Sequence, residues 1–165
     1  MQSVVESKMV DSGKLRKSAD GRKELYSEIE INSPADRVWK ILTDFANFPS
    51  WNPFMRSASG ELKKGSKLTV RLQPSGARGT TFKPTVLKIE EGRELRWIGH
   101  LVFRGLFDGE HILELQPVED GRRIRFVQRE LFSGILLPFL TKTLNNDTSR
   151  GFAEMNEALK LRAEQ

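Results

Sequence analysis

The sequence predicts an α+β domain in which a seven-stranded, curved antiparallel sheet wraps around a long C-terminal helix, with two short helices after the first strand. Three observations predict it. Apolar and polar residues alternate from Glu24 onward in a strand-like period. Six more alternating segments follow, separated only by short Gly-, Pro- and Asp-containing loops, and such loops join neighbouring strands antiparallel. The chain then ends on Leu137, Leu140, Leu144, Thr148, Phe152, Met155 and Leu159, whose spacing of three and four forms one helical stripe. A sheet with one apolar face must be covered, and only this last helix is long enough to cover it.

Residues 1–22 are polar, carry Gly13 and Gly21, and show no periodic apolar face, so they are expected to form a flexible N-terminal extension. Residues 23–165 are expected to form one ligand-binding domain. In the first strand Leu25, Ile29 and Ile31 share a face, and Tyr26, Glu28 and Glu30 share the other. The first helix is expected over Pro34 to Thr43, with Ser33 as cap, Pro34 at the first helical position and Asp36 near the positive end of the dipole. A second helical turn falls in the Pro-punctuated stretch from Phe45 to Phe54. Strands are then expected near Met55 to Glu61, Lys67 to Gln73, Thr80 to Glu90, Glu94 to Phe103, Gly109 to Pro117 and Arg122 to Phe132. The C-terminal helix should start around Pro138. One helix cannot touch a wide curved sheet along its full width, which leaves a cavity in the usual range of ~300–1,000 Å³ for small-molecule sites.

Composition narrows the chemistry. The chain has 165 residues, no Cys and two His, which removes disulfides, thiolate metal sites and cysteine nucleophiles and leaves little for a nitrogen-ligated metal; no metal and no cofactor are expected. The net charge of +5 is uneven: the first 23 residues hold six basic and three acidic groups, the remainder 21 and 19. A nearly balanced body speaks against a nucleic-acid surface. No apolar run approaches the ~20 residues of a membrane-spanning helix, and the first residues lack a signal core, so a cytoplasmic protein without integral membrane association is expected.

The stretch Ile31-Asn32-Ser33-Pro34-Ala35-Asp36-Arg37-Val38-Trp39-Lys40-Ile41-Leu42-Thr43-Asp44, with Phe48-Pro49-Ser50-Trp51-Asn52-Pro53 after it, resembles the opening of the START-related helix-grip superfamily, SRPBCC. Glu94-Leu95-Arg96-Trp97, the run from Gly105 to His111 and the run from Gly151 to Asn156 are similar to segments of the same superfamily, and in particular of its polyketide cyclase/dehydrase and lipid transport group. The resemblance spans about Glu24 to Arg162. It implies the helix-grip fold and a hydrophobic ligand cavity, in a superfamily that includes lipid carriers, aromatic cyclases, hormone receptors and chaperone cofactors.

Strand parity locates the polar residues of the inner face. Two hairpin registers are open around Val118 to Gly121, placing either Glu119 or Pro117 opposite Arg122, and both have the same parity. In either, His111, Leu113 and Leu115 share the inner face with Ile124, Phe126, Gln128 and Glu130, and Trp97 and Leu95 follow in phase on the neighbouring strand. His111 then stands opposite Gln128 or Glu130. Such groups on an apolar wall either satisfy one another or await a polar ligand group. The expected ligand-binding set is Trp97, His111, Leu113, Phe126, Gln128, Glu130, Phe152 and Met155, with Trp51 at the pocket mouth. His111 and Glu130 are also the candidate catalytic pair, as acid and base of a polyketide cyclase or dehydratase.

Outside the cavity, Arg123, Arg125 and Arg129 face outward beside Glu110 and Glu114, and one register pairs Glu114 with Arg125 and Glu110 with Arg129. His100 falls in the phase opposite to Trp97, away from His111. Gly151 interrupts the last helix at a cost of about 1 kcal/mol relative to Ala, as expected where the helix bends or Phe152 packs closely. The expected function is binding or transport of a hydrophobic or amphipathic small molecule, lipid or polyketide-like. The alternatives are the cyclase/dehydratase and a chaperone-cofactor-like interaction module. The partner is the small molecule or lipid, no nucleic acid is expected, and the sequence singles out no protein partner.

Overall fold

The computed structural model of the protein describes residues 10–11 and 13–165. In chain order the elements are β1 (Val10–Asp11), β2 (Arg16–Lys17), β3 (Lys23–Ile31), α1 (Ala35–Thr43), a 3-10 turn (Phe45–Asn47), α2 (Phe48–Trp51), β4 (Met55–Ser59), β5 (Thr69–Leu72), β6 (Thr80–Phe82), β7 (Thr85–Glu90), β8 (Glu94–His100), β9 (Asp108–Val118), β10 (Arg123–Ser133), α3 (Leu137–Thr143), a π-helical stretch (Leu144–Thr148) and α4 (Ser149–Glu164). The main sheet is antiparallel and seven-stranded, in the order β1-β3-β10-β9-β8-β7, with β2 also on β3. The continuous helical stretch from Leu137 to Glu164 packs across it, α4 lying on β3 and on α1. This is the helix-grip fold.

The strands of the main sheet differ in membership from those expected. β4, β5 and β6 leave it to form a three-stranded sheet of their own. The segment expected as one strand from Thr80 to Glu90 divides at Lys83-Pro84, because a proline has no N–H to give a ladder. The Pro84 carbonyl instead accepts from Leu68 N at 2.8 Å, and Val86 N donates to Ser66 O at 2.9 Å, so the chain turns from one sheet into the other. β8 ends at His100 instead of Phe103. Helix α1 begins one residue late: Pro34 takes the cap position, and the buried Ser33 hydroxyl makes no capping bond.

Of the stretch expected to be a flexible extension, residues 1–9 and 12 lie outside the described residues. Val10–Asp11 and Arg16–Lys17 pair with β3, Leu15 N donates to Asn145 Oδ1 at 2.7 Å, and Arg22 pairs with Glu110 at 2.6 Å.

The β9–β10 hairpin takes the register with Val118 opposite Arg123 and His111 opposite Glu130. Glu114 therefore faces Val127 and Glu110 faces Leu131, and the expected pairs of these glutamates with Arg125 and Arg129 do not form. The arginines find other partners. Arg129 binds the buried Glu24 at 2.6 Å, with Arg16 on the same carboxylate at 2.7 Å. Glu110 takes Arg22 and Arg96, and Arg125 lies 3.8 Å from Glu28 and 3.7 Å from Glu30 on β3. Two arginines per buried carboxylate offset its desolvation better than one exposed pair would.

Tyr26, the single tyrosine of the chain, lies on this outer face with its hydroxyl bonded to Glu28 and the Arg16 guanidinium 4.3 Å over its ring. Burial, and then the Glu28 carboxylate, push its pKa up to about 12. The phenol is neutral in both states below pH ~10, where an unfolded tyrosine ionises. Stability should therefore be intact to that pH and fall as the pH rises from ~10 toward 12, because only the unfolded state gains the charge. Ultraviolet titration of the phenolate should find a midpoint near 12 in the native protein and near 10 in denaturant; coincident midpoints would contradict the contact with Glu28.

Candidate functional site

A cavity of about 290 Å³ lies at one end of the sheet, between β8–β10 on one side and α3 with the π stretch on the other; β5 and β6 close its flank. Its opening follows from two missing side chains. Gly99 on β8 and Gly109 on β9 are directly opposite, in the same inward phase as Trp97 and His111, so the sheet's inner face is bare there. A Cβ on Gly109 would lie 2.7 Å from Glu130 Oε1, so the second glycine also makes room for that carboxylate. Apolar wall comes from Val70, Phe82, Trp97, Phe107, Phe132 and Leu140. Arg78, Thr80 and Thr143 line the cavity and are exposed, which puts its mouth at the β5–β6 loop and α3.

Two polar side chains stand in the inner wall. His111 is 2% exposed, stacked on Trp97 at 5.4 Å between ring centres and tilted against Phe152 at 5.3 Å. Its Nε2 is 3.1 Å from Gln128 Oε1; Gln128 Nε2 donates to Asn156 Oδ1 at 2.9 Å; Asn156 Nδ2 donates to Ser27 Oγ at 2.5 Å. Because each amide in this chain donates toward Ser27, the Gln128 oxygen is the acceptor left for His111, and the ring proton belongs on Nε2. Nδ1 is then the free ring atom. It faces Glu130 Oε2 at 3.5 Å, too long for a hydrogen bond, and both residues line the cavity.

The residues singled out in the sequence thus separate. Trp97, His111 and Glu130 line the cavity. Gln128 does not; it is fully buried and holds the ring of His111. Leu113, Phe126, Phe152 and Met155 are outside the lining as well, each no more than 1% exposed, because the small sheet brings Phe54 and Met55 over the space that a single wide sheet would leave open. Phe54 meets Phe152 edge-on at 5.7 Å. Trp51 is also away from the lining, half-buried in α2 and edge-on to Phe48 at 5.5 Å. His100 binds Asp108 at 2.6 Å. Three contributions were not read from the sequence: the Gly99/Gly109 pair, the π stretch with Leu144, Asp147 and Thr148, and Asn156. The in-phase glycines and the inward polar Ser27 were their available signals.

Among the described residues, no three His, Asp or Glu are placed to hold a metal, and no helix is long and apolar enough to cross a membrane.

The helix-grip fold is shared with several solved structures. A START superfamily protein from Mycobacterium smegmatis is 17% identical, with a TM-score of 0.66 over 86% of this chain and 97% of that one. The Zhui aromatase/cyclase from Streptomyces sp. R1128 is 13% identical, with a TM-score of 0.69 over 86% and 93%. CalU16 from Micromonospora echinospora is 18% identical, with a TM-score of 0.61 over 99% and 77%. No curated protein matches the chain. The family described as polyketide cyclase / dehydrase and lipid transport matches residues 22–164, and the chain belongs to it.

Proposed function

We propose that the protein binds a compact, largely apolar small molecule that carries a polar group, as a carrier or sensor, in the cavity between the sheet and the start of the C-terminal helix. The observation that carries this reading is the pairing of an apolar wall with the Glu130 carboxylate and His111 Nδ1, which face one another without a hydrogen bond. A ligand hydroxyl would donate to either. The volume of about 290 Å³ stands at the lower edge of the ~300–1,000 Å³ usual for such sites, which favours a ligand of one or two rings. Arg78 and the two threonines at the mouth suit a polar tail on the outer end.

The test compares 2-naphthol with naphthalene, which differ by one hydroxyl. Both should bind saturably at one site, 2-naphthol more tightly. Glu130→Gln should weaken 2-naphthol by about tenfold or more, in line with the ~1.5–3 kcal/mol of a hydrogen bond to a charged group, and leave naphthalene unchanged. Absence of saturable binding by both would sink the reading.

The same pair supports a second reading, an acid/base couple acting on a polyketide-like substrate. Turnover of a poly-β-ketone that disappears in both His111→Leu and Glu130→Gln would favour it over a carrier.

A further inference from the structure

Five large apolar side chains are exposed among the described residues, and four of them share one end of the sheet: Val102 at 85%, Phe103 at 59%, Ile135 at 72% and Phe139 at 82%. Val102 and Phe103 come from the β8–β9 connection, Ile135 from the segment between β10 and α3, and Phe139 from the first turn of α3. Backbone bonds fasten the two connecting segments together, from Ile135 N to Gly105 O at 3.1 Å and from Leu136 N to Leu106 O at 3.0 Å. Val102 holds a φ of +66°, a conformation costly for a β-branched residue, and it is in this conformation that its side chain projects into solvent. The two segments thus form one hydrogen-bonded tip whose apolar side chains stand in solvent.

Its unpaired charge is of one sign, since the Asp108 carboxylate at the foot of the loop is taken up by Gly105 N and His100. Residues 101–107 and 133–143 contain Arg104 and Lys142 and no acidic residue. Both are exposed, as is Arg78 at the cavity mouth, and none of the three has an ion-pair partner among the described residues. On the outer face of the sheet, in contrast, Arg22, Arg96, Arg123, Arg125 and Arg129 are all paired. Unpaired cations around projecting apolar side chains match a surface that is hydrocarbon beneath and negative at its polar layer. A two-fold contact between copies would bring one patch carrying Arg104 and Lys142 onto another carrying the same two cations, with no acidic residue in either of the two segments to offset them.

We propose that this tip docks the protein peripherally onto an anionic lipid bilayer, with Val102, Phe103, Ile135 and Phe139 entering the headgroup–acyl boundary and Arg104 and Lys142 at the headgroups. Leu101, Phe107 and Leu140, on the same two segments, line the cavity, so docking brings the cavity wall to the membrane surface. The docking rests on this surface alone and stands whether or not the cavity holds the ligand proposed above.

Flotation with vesicles of phosphatidylcholine and phosphatidylglycerol in a two-to-one ratio tests it. The protein should float at low salt, and Ile135→Ser combined with Phe139→Ser should lower the partition coefficient by about tenfold or more. Arg104→Glu with Lys142→Glu should lower it by a similar factor, as should high salt, while pure phosphatidylcholine binds less. All four side chains are exposed, so the thermal unfolding midpoint should be nearly unchanged in both variants and reports their folding. Failure of the unmodified protein to float, or equal flotation by the Ile135/Phe139 variant, overturns the proposal. So does a concentration-dependent dimer lost in that variant while flotation persists, which would assign the face to a second copy.

Discussion

Replacing Gln128 by Leu is expected to lower the unfolding free energy by about 3 kcal/mol, the sum of two buried polar groups left unmet at ~1–3 kcal/mol each. Gln128 is fully buried and sits in the middle of the chain that runs from His111 through Asn156 to Ser27. Its loss orphans His111 Nε2 and Asn156 Oδ1 together. Thermal unfolding should shift down by about 10 °C, given ~2–4 °C per kcal/mol for a chain of this size. Because the groups form one network, adding Asn156→Leu should cost much less than it does alone. Strict additivity of the two losses would show that the chain is not coupled. The contrast with Glu130→Gln is the useful part. Glu130 lies in the cavity wall, and its substitution should move affinity and leave stability nearly unchanged; Gln128 lies behind the wall, and its substitution should do the reverse.

Gly151→Ala is expected to destabilise the protein by about 2 kcal/mol, against the usual gain of ~1 kcal/mol for removing a glycine from a helix interior. A Cβ at this position would overlap the Phe54 ring, lying 2.6 Å from Cε2. The ring has nowhere easy to go, since Phe54 is 1% exposed and already packed edge-on against Phe152. The overlap therefore outweighs the helix propensity. Phe54→Leu placed in the Gly151→Ala background should recover part of the loss, because a shorter side chain clears the new methyl group. A higher melting temperature for Gly151→Ala alone would mean that the ring swings aside and that the close approach does not account for the glycine.

The legible part of the site was what period alone controls. Side chains alternate along a strand, and neighbouring strands align their faces, so Trp97, His111, Gln128 and Glu130 fall on one inner face whichever hairpin register forms. The register itself was not legible, because the two candidate turns preserve the same parity; the structure's choice set His111 opposite Glu130 and sent the outer arginines to Glu24, Glu28 and Glu30 on β3 and its surroundings. The paired β2 strand was missed for a related reason. Arg16–Lys17 has no apolar signature and is held by backbone bonds to β3 and by the ion pair of Arg16 with Glu24, neither of which leaves a periodic trace.

By itself the sequence determined the element order, the antiparallel pairing of the long strands, the helix stripe from Leu144 to Leu159 and the inward orientation of His111 and Glu130, because the pairing depends on short loops and the rest on repeats of two or of three and four residues along the chain. Only the tertiary structure decided which inward residues meet empty space. That depends on what crosses over them: β4–β6 fold away as a second sheet and carry Phe54 onto Phe152 and Gly151, closing the middle of the groove, whereas opposite Gly99 and Gly109 no side chain fills the gap and the cavity remains. Packing between segments distant in sequence has no period to read, so the cavity's position, and with it the division of labour between Glu130 and Gln128, belongs to the fold.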